Sequence, residues 1–240
     1  MKNFKIINAG KYKSTTSIKV LLYGESGAGK SYLSVTAPKP LVLLTEMNGQ
    51  ASIMHSNPNS DIIHVSSDIL LGDVLKDIES NPDNWKKYDT IVIDSLTEVQ
   101  RLIKDRITNR GSKQMRLQDW GLLADTMRRL MSRIRALQKS VVCICLLEAQ
   151  IDEETGTRHY KPAFEGKKTS GEIAQYFNAV GFLYTAQQQT KEGDDLVTTT
   201  ARHLMVEGPS RILCKPTYPL NGTIENPNLT KIFKQIREGK

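Results

Sequence analysis

The stretch GESGAGKS, residues 24–31, directly follows the apolar run IKVLLY at residues 18–23. It matches the whole pattern G-x-x-x-x-G-K-[ST], in which successive backbone N–H groups point inward and surround phosphate oxygens. Its glycines allow backbone conformations that other residues resist. The apolar run predicts a buried strand, and residues 31–36 predict a helix whose N-terminus favours anions. The stretch therefore predicts a phosphate-binding loop that holds a nucleotide.

Individual positions of this loop have expected tasks. Lys30 would reach the β- and γ-phosphates, and the hydroxyl of Ser31 would ligate Mg²⁺. The residues that we expect to contact the nucleotide are Gly24, Glu25, Ser26, Gly27, Ala28, Gly29, Lys30, Ser31 and Tyr32.

Composition narrows the class of protein. The 240 residues, 39% of them hydrophobic, suit a single α/β domain, and the net charge of +7 is compatible with an anionic partner. Cys143, Cys145 and Cys214 cannot all pair with one another, which favours reduced cysteines and a cytoplasmic protein. The longest apolar run, VVCICLL at 141–147, is too short to span a bilayer, and the first residues lack the apolar stretch of a signal peptide. We therefore expect no membrane partner, and the four histidines show no metal-ligand spacing.

Apolar runs alternate with helical patterns along the chain. Strands are expected at residues 18–23, 41–45, 62–65, 90–94, 141–147 and 179–184, and helices after the loop and at 69–78, 96–107, 120–138 and 171–177. This alternation is typical of an α/β fold with a mostly parallel sheet. Residues 196–206 and 211–216 predict a C-terminal β-hairpin around the turn EGPS, and residues 229–236 predict a closing helix. We expect one domain over 1–240, with its core at about 18–186 and the hairpin and helix at about 195–240.

Two carboxylates follow apolar runs. Asp94 ends the run in YDTIVIDS, where a carboxylate beside the phosphate loop can hold the Mg²⁺ shell, as in a Walker B pattern. Ser95 follows it, whereas many P-loop motors place their water-activating glutamate there. Glu46, at the end of the run in PLVLLTEMNG, is the candidate base, because a carboxylate there could accept a proton from the attacking water. The alternative is an ordinary polar residue at a strand end.

Positive charge is concentrated in residues 101–139, which hold eleven basic side chains against three acidic ones, a net charge of +8. Such concentration is typical of a surface that binds the phosphate backbone of nucleic acids. The DNA-binding candidates in this segment are Arg106, Arg110, Lys113 and Arg116, which lie where no apolar stripe explains them. The arginines farther along, at 128–135, accompany an apolar stripe and have a solvated helix face as the alternative.

The stretch RHYKPAFEGKK, residues 158–168, interleaves aromatic and basic residues. Base stacking on an aromatic ring contributes about 1–3 kcal/mol, and neighbouring cations follow the backbone, so the mixture suits single strands. The candidates are Arg158, Tyr160, Lys161, Phe164, Lys167 and Lys168. For the two aromatic residues, anchoring of a loop to the core is the alternative.

Together GESGAGKS, LLTEMNG and TIVIDSLTEV resemble the RecA-like ATPases, and more closely the short phage-encoded nucleotide-binding proteins of that lineage, over roughly residues 18–216. The resemblance implies a RecA-like P-loop NTPase core that binds ATP and Mg²⁺, with Lys30, Ser31, Asp94 and Glu46 in the roles given above. It also implies an ATPase, stimulated by DNA, that binds and anneals single-stranded DNA in phage recombination. The segments at 106–120 and 151–180 occupy the positions of the family's two DNA-binding loops.

Further residues and partners follow from the same resemblance. Gln150, or alternatively Glu148, would sense the γ-phosphate. Lys215 stands where the family has the lysine of a Lys-x-Arg finger that reaches a neighbouring subunit, but Thr217 replaces the arginine. A homo-oligomeric ring or filament and a single-strand DNA-binding protein are the implied partners. The residues also leave open a nucleotide-gated interaction module with little hydrolysis and a P-loop kinase for a small metabolite.

Overall fold

The computed structural model describes residues 17–46, 49–166, 169–192, 195–217 and 219–239. The strands of this part of the chain are β1 (Lys19–Gly24), β2 (Pro40–Leu44), β3 (Asp61–His64), β4 (Thr90–Asp94), β5 (Ser140–Ile151), β6 (Arg158–Pro162), β7 (Ala179–Glu192), β8 (Asp195–Met205) and β9 (Thr223–Glu225). The helices are α1 (Lys30–Ser34), α2 (Gln50–Ser56), α3 (Asp68–Ser80), α4 (Leu96–Ile107), α5 (Leu117–Ala136), α6 (Thr169–Ala174) and α7 (Leu229–Glu238), with a 3₁₀ turn at Pro82–Trp85. Among these helices, none is long and apolar enough to cross a membrane.

The strands form one mostly parallel sheet in the order β3-β2-β4-β5-β1-β7-β8-β9, and β6 pairs with β5. The pairs β3–β2, β2–β4, β4–β5, β5–β1 and β1–β7 are parallel. The pairs β5–β6, β7–β8 and β8–β9 are antiparallel. The central strands are buried on both faces: Leu21 packs in a layer with α3 to α6, and Leu22 packs in a layer with α1, α2 and α7. The predicted α/β class with a mostly parallel sheet is confirmed.

The order of the strands determines which edge of the sheet carries the candidate functional residues. Strand β5 lies between β1 and β4, and β2 lies next to β4. Because these strands are parallel, their carboxyl ends meet at one edge of the sheet. The phosphate loop after β1, Glu46 after β2 and Asp94 at the end of β4 therefore come together there.

The C-terminal hairpin differs in position from the prediction. It joins β7 to β8, because β7 continues to Glu192 and pairs with β8 along its length. Residues 211–216, predicted as the second hairpin strand, make only two isolated bridges, through Ile212 to Tyr160 and through Lys215 to Val180. The short elements α2, β6 and β9 had no sequence prediction, whereas the closing helix α7 is present as expected.

Candidate functional site

The phosphate loop has a geometry that requires its glycines. Gly27 and Gly29 have φ of +83° and +91°, in the left-handed region that glycine adopts without strain. A Cβ atom on Gly24 would lie 2.1 Å from the backbone carbonyl oxygen of Leu183 on β7. The loop borders a cavity of about 340 Å³, here called the nucleotide cavity, which Glu46 and Asp94 also line.

Lys30 is buried at the start of α1, and its ammonium group lies over the loop. Its Nζ atom donates hydrogen bonds to the carbonyl oxygens of Gly24 at 2.9 Å and Glu25 at 2.7 Å. Burial lowers the pKa of this ammonium, while the nearby carboxyl of Asp94 acts in the opposite direction. Phosphate oxygens are stronger acceptors for a cation than carbonyls, so a bound nucleotide can draw Lys30 to its phosphates.

Ser31 and Asp94 are in direct contact. The Ser31 hydroxyl donates a hydrogen bond of 2.6 Å to Oδ2 of Asp94, whose side chain is buried at the end of β4. Burial raises the pKa of this carboxyl, and the hydrogen bond from Ser31 only partly offsets the effect. A divalent cation would favour the ionised carboxylate.

The donor set also fits Mg²⁺, which binds through one or two protein oxygens together with substrate phosphates. Within the described ranges, no group of three or more His, Cys, Asp or Glu side chains forms a separate metal cluster. Ser31 and Asp94 are therefore the residues that would hold Mg²⁺ beside a nucleotide.

Glu46 is oriented by the residue after Asp94. The hydroxyl of Ser95 donates a 2.7 Å hydrogen bond to Oε1 of Glu46 and accepts one from the backbone N–H of Glu98, which caps α4. The hydroxyl of Thr45 accepts a hydrogen bond from the backbone N–H of Ser95. The structure thus holds Glu46 beside the nucleotide cavity, near Asp94, as a candidate base requires.

The structure does not bring Gln150 to this cavity. Strand β5 leaves the central sheet after Leu146, the last partner of β1, and continues as an arm (residues 147–166) in which it pairs with β6. The side chain of Gln150 accepts a hydrogen bond from Lys161, and Glu148 forms an ion pair with the same lysine. Leu146 lines the nucleotide cavity at this strand instead.

Lys215 lies at the opposite edge of the sheet. Its ammonium donates hydrogen bonds to the carbonyl oxygens of Phe177 at 2.6 Å and Gln175 at 3.5 Å, close to the start of β1. Burial lowers the pKa of Lys215. Within its own subunit, this lysine is therefore remote from the phosphate loop.

Arg202 lines the nucleotide cavity from β8, and no sequence pattern indicated it. Its guanidinium lies over the ring of Tyr32, with 4.4 Å from Cζ to the ring centroid. The only available signal was a single arginine in an apolar and threonine-rich run, which is not specific.

The basic loop, residues 108–116, is an exposed turn between α4 and α5. Arg110, Lys113 and Arg116 are exposed, and none of them has an ion pair among the described residues. Arg106 instead pairs with Asp68 at 2.9 Å. The three exposed residues are thus the candidates in this segment that remain available to a phosphate backbone.

The arm presents fewer DNA candidates than expected. Phe164 is only 5% exposed and packs in the core, which favours the anchoring alternative over stacking of its ring on bases. Tyr160 is half-buried and stacks on Phe182 at 5.9 Å, and Lys161 pairs with Glu148. Arg158 is exposed on β6. Lys167 and Lys168 lie outside the described residues.

A second cavity of about 920 Å³, here called the arm cavity, lies between the arm, helix α4 and the start of α5. Trp120 and Arg101 line it on one side, and Lys161 and Gln150 line it on the other. Glu46 and Leu146 line both this cavity and the nucleotide cavity. The two cavities are therefore neighbours that share the candidate base.

The fold and the loop define a P-loop nucleotide-binding protein with a RecA-like core. The chain belongs to the AAA domain family, whose model matches residues 16–218. No curated protein matches it.

Two solved structures are similar to the chain at low identity. A KaiC-like protein of the hyperthermophilic archaeon Pyrococcus horikoshii OT3 is 11% identical, with a TM-score of 0.43, over 78% of this chain and 77% of that one. The flagellar accessory protein FlaH of Methanocaldococcus jannaschii is 15% identical, with a TM-score of 0.41, over 88% of this chain and 85% of that one.

Proposed function

We propose that this chain is an ATPase that hydrolyses ATP with Mg²⁺, binds single-stranded DNA and promotes its annealing in phage recombination, in the cytoplasm of a bacterial host. The observation that carries the proposal is that the nucleotide cavity and the arm cavity share lining residues. Glu46 lines both of them, and the arm cavity is also lined by Trp120 from the first suggested DNA-binding segment and by Lys161 from the second. A DNA strand bound in the arm cavity would lie next to Glu46, the residue proposed to activate water.

The chemistry follows from the geometry of the nucleotide cavity. Mg²⁺, held by Ser31 and Asp94, would neutralise the charge that develops on the phosphates. Lys30 exchanges its two carbonyl acceptors for β- and γ-phosphate oxygens. Glu46 takes a proton from a water whose oxygen bonds to the γ-phosphorus while the bond to the bridging oxygen breaks, and ADP leaves with that oxygen.

DNA binding would act on the orientation of Glu46. Its hydrogen bond to Ser95 fixes one carboxylate oxygen, and Glu46 also lines the arm cavity. A DNA strand that enters the arm cavity displaces water from around Glu46 and restricts its side chain to fewer rotamers. This restriction favours alignment of the carboxylate with the attacking water. This predicts slow basal hydrolysis and faster hydrolysis with DNA.

The test is phosphate release with and without single-stranded DNA at low salt, together with annealing of complementary labelled oligonucleotides. Stimulated hydrolysis and faster annealing are expected, and Lys30→Ala should remove the hydrolysis and so exclude a contaminating ATPase. Nucleotide binding without any DNA binding would overturn the annealing ATPase in favour of a nucleotide-gated interaction module.

Assembly into a ring or filament is part of the proposal, with Lys215 as the candidate contact to a neighbouring subunit and a single-strand DNA-binding protein as a further partner. The position of Lys215, remote from its own phosphate loop, is compatible with action on another subunit. Sedimentation velocity with ATP and DNA tests assembly. A monomer under all conditions would contradict this part alone.

A further inference from the structure

The guanidinium of Arg202 is held in the nucleotide cavity without a polar partner. Its Nε atom is buried and has no hydrogen-bond acceptor, and no ion pair to Arg202 occurs among the described residues. Its described contact is with the ring of Tyr32, over which Cζ lies at 4.4 Å. Arginine is always charged, and a buried N–H such as that of Nε is costly without an acceptor unless a ligand supplies one.

The phosphate loop accommodates this side chain closely. A Cβ atom on Gly29 would lie 2.4 Å from Nε of Arg202, so only a glycine at this position leaves room for the arginine. Gly29 immediately precedes Lys30, in the part of the loop whose N–H groups surround phosphates. The guanidinium therefore stands beside the position of the phosphate chain.

The sheet order shows which phosphates Arg202 can meet. Glu46 and Asp94 follow β2 and β4, on one side of β1, whereas Arg202 lies on β8, on the other side of β1. Water attacks at the Glu46 side, where the γ-phosphate must lie. Arg202, next to Gly29 and Tyr32, faces the remaining part of the nucleotide.

We infer that Arg202 binds the α- and β-phosphates of the nucleotide held by its own subunit, and that Tyr32 positions the guanidinium through its ring. The inference rests on the nucleotide binding in the proposed function. Fork-shaped guanidinium groups suit bidentate binding of phosphate oxygens. Because ADP and ATP share these phosphates, Arg202 contributes to the binding of both.

The experiment is titration of wild type and variants with fluorescent ADP and ATP analogues, combined with turnover at saturating ATP. Arg202→Gln should weaken both nucleotides by about tenfold or more, which corresponds to loss of charge-assisted hydrogen bonds. Arg202→Lys should recover part of the affinity through its charge. Turnover at saturating ATP shows whether the effect of each variant lies in binding or in the chemical step.

Tyr32 is tested by a pair of variants. Tyr32→Phe keeps the ring and should bind as wild type does, while Tyr32→Leu should lose part of the affinity. Arg211→Gln is the matched control, because Arg211 is an exposed arginine that does not line the nucleotide cavity. Circular dichroism and urea unfolding establish that each variant is folded.

Three results separate the possible failures. Unchanged affinity of a folded Arg202→Gln variant overturns the inference, and so does normal affinity with a tenfold loss of saturated turnover, which would place Arg202 at the γ-phosphate. A weaker ATP complex with unaltered ADP binding overturns it as well. If wild type itself binds no nucleotide, the proposed function fails first.

Discussion

Glu46 and Asp94 border the same cavity but are held in different ways. Asp94 is buried, its pKa is raised by burial, and its partner is the Ser31 hydroxyl. Glu46 is more open and is oriented by Ser95. A buried carboxyl with a hydroxyl beside it suits a cation, and an accessible carboxylate suits proton transfer.

Replacement of Glu46 by Gln should separate binding from hydrolysis. The amide keeps the size of the side chain and can accept the hydrogen bond from Ser95, but it cannot act as a base, so turnover should fall about a hundredfold or more. Nucleotide affinity should stay near that of wild type. Phosphate release and nucleotide titration measure the two quantities, with the exposed Glu153→Gln as the control. Weaker binding with normal turnover per bound ATP would contradict the assignment.

Lys19 gives a pH-dependent stability of known sign. Its ammonium donates to the carbonyl oxygens of Leu137 and Lys139, and burial lowers its pKa from 10.5 to about 8. Between these values the unfolded chain binds more protons than the folded one, so this group makes stability rise with pH. From about pH 8 to about pH 10.5, the unfolding free energy of wild type should therefore rise relative to that of Lys19→Met. Urea unfolding of both proteins across this range measures the difference, and a constant difference would refute it.

The four residues Lys30, Ser31, Glu46 and Asp94 could be predicted from the sequence, because two lie in one contiguous motif and the others end apolar runs. The carboxyl ends of the strands of a parallel sheet meet at one edge, so the positions of the apolar runs suffice to predict that these four residues lie close together. Arg202 could not be predicted in the same way. It meets the loop only through the pairing of β7 with β8, and nothing in the local sequence marks one residue of a long strand as lining the nucleotide cavity.

Among the elements, the closing helix α7 supports the helix that follows the phosphate loop. The backbone N–H of Leu229 donates to the hydroxyl of Thr36, and the hydroxyl of Thr230 donates to the carbonyl oxygen of Thr36. The buried face of α7 includes Phe233, which is fully buried in the same layer as Leu33 of α1. The helix thus fixes the C-terminal end of α1.

Truncation of Phe233 to Ala should lower the free energy of unfolding by about 3–5 kcal/mol, since it removes a buried aromatic side chain and leaves a cavity. The adjacent Lys234 is exposed, and Lys234→Ala should change stability by less than about 0.5 kcal/mol. Urea unfolding of the two variants is the measurement. A loss below about 1 kcal/mol for Phe233→Ala would mean that α7 contributes little to the fold.

The strands that sequence patterns did not predict correctly are those whose ends depend on pairing partners. Residues 147–151 continue β5 beyond the central sheet because β6 pairs with them. Gln150 therefore lies on the arm and does not line the nucleotide cavity. The extension of β7 to Glu192 likewise depends on β8. Polar residues such as those of AQQQT carry no apolar alternation, so their strand character comes from backbone pairing alone.

At the scale of the whole molecule, the uneven distribution of charge is the feature that bears on DNA. Several cations of residues 101–139 are paired with acids, including Arg106 with Asp68 and Arg133 with Glu79. Among the exposed cations of this segment that have no ion pair in the described part of the chain, Arg110, Lys113 and Arg116 lie in the basic loop, whereas Arg129 and Arg135 lie on α5. Ion pairing therefore leaves five exposed cations among the described residues of this segment, and three of them lie in the basic loop.

Replacement of Arg110 and Lys113 by Ala should make the dependence of log affinity for single-stranded DNA on log salt shallower by about one unit, because the slope is about −0.7 per neutralised phosphate. The matched control is Lys39→Ala with Lys87→Ala, which removes the same charge from ion pairs with Asp89 and Asp61. Fluorescence anisotropy at several salt concentrations gives the slopes. Equal slopes for the two double variants would place the DNA surface elsewhere.

The two outer strands of the sheet have a consequence for aggregation. Strand β3 is four residues long and starts at Asp61, which accepts hydrogen bonds from Lys87 and Tyr88. Strand β9 has only three residues and ends at Glu225. Short edge strands that carry charges offer few backbone groups for pairing with another chain. These two edges therefore disfavour edge-to-edge β-association between copies of this protein, because a second chain could pair with at most three or four residues at either of them.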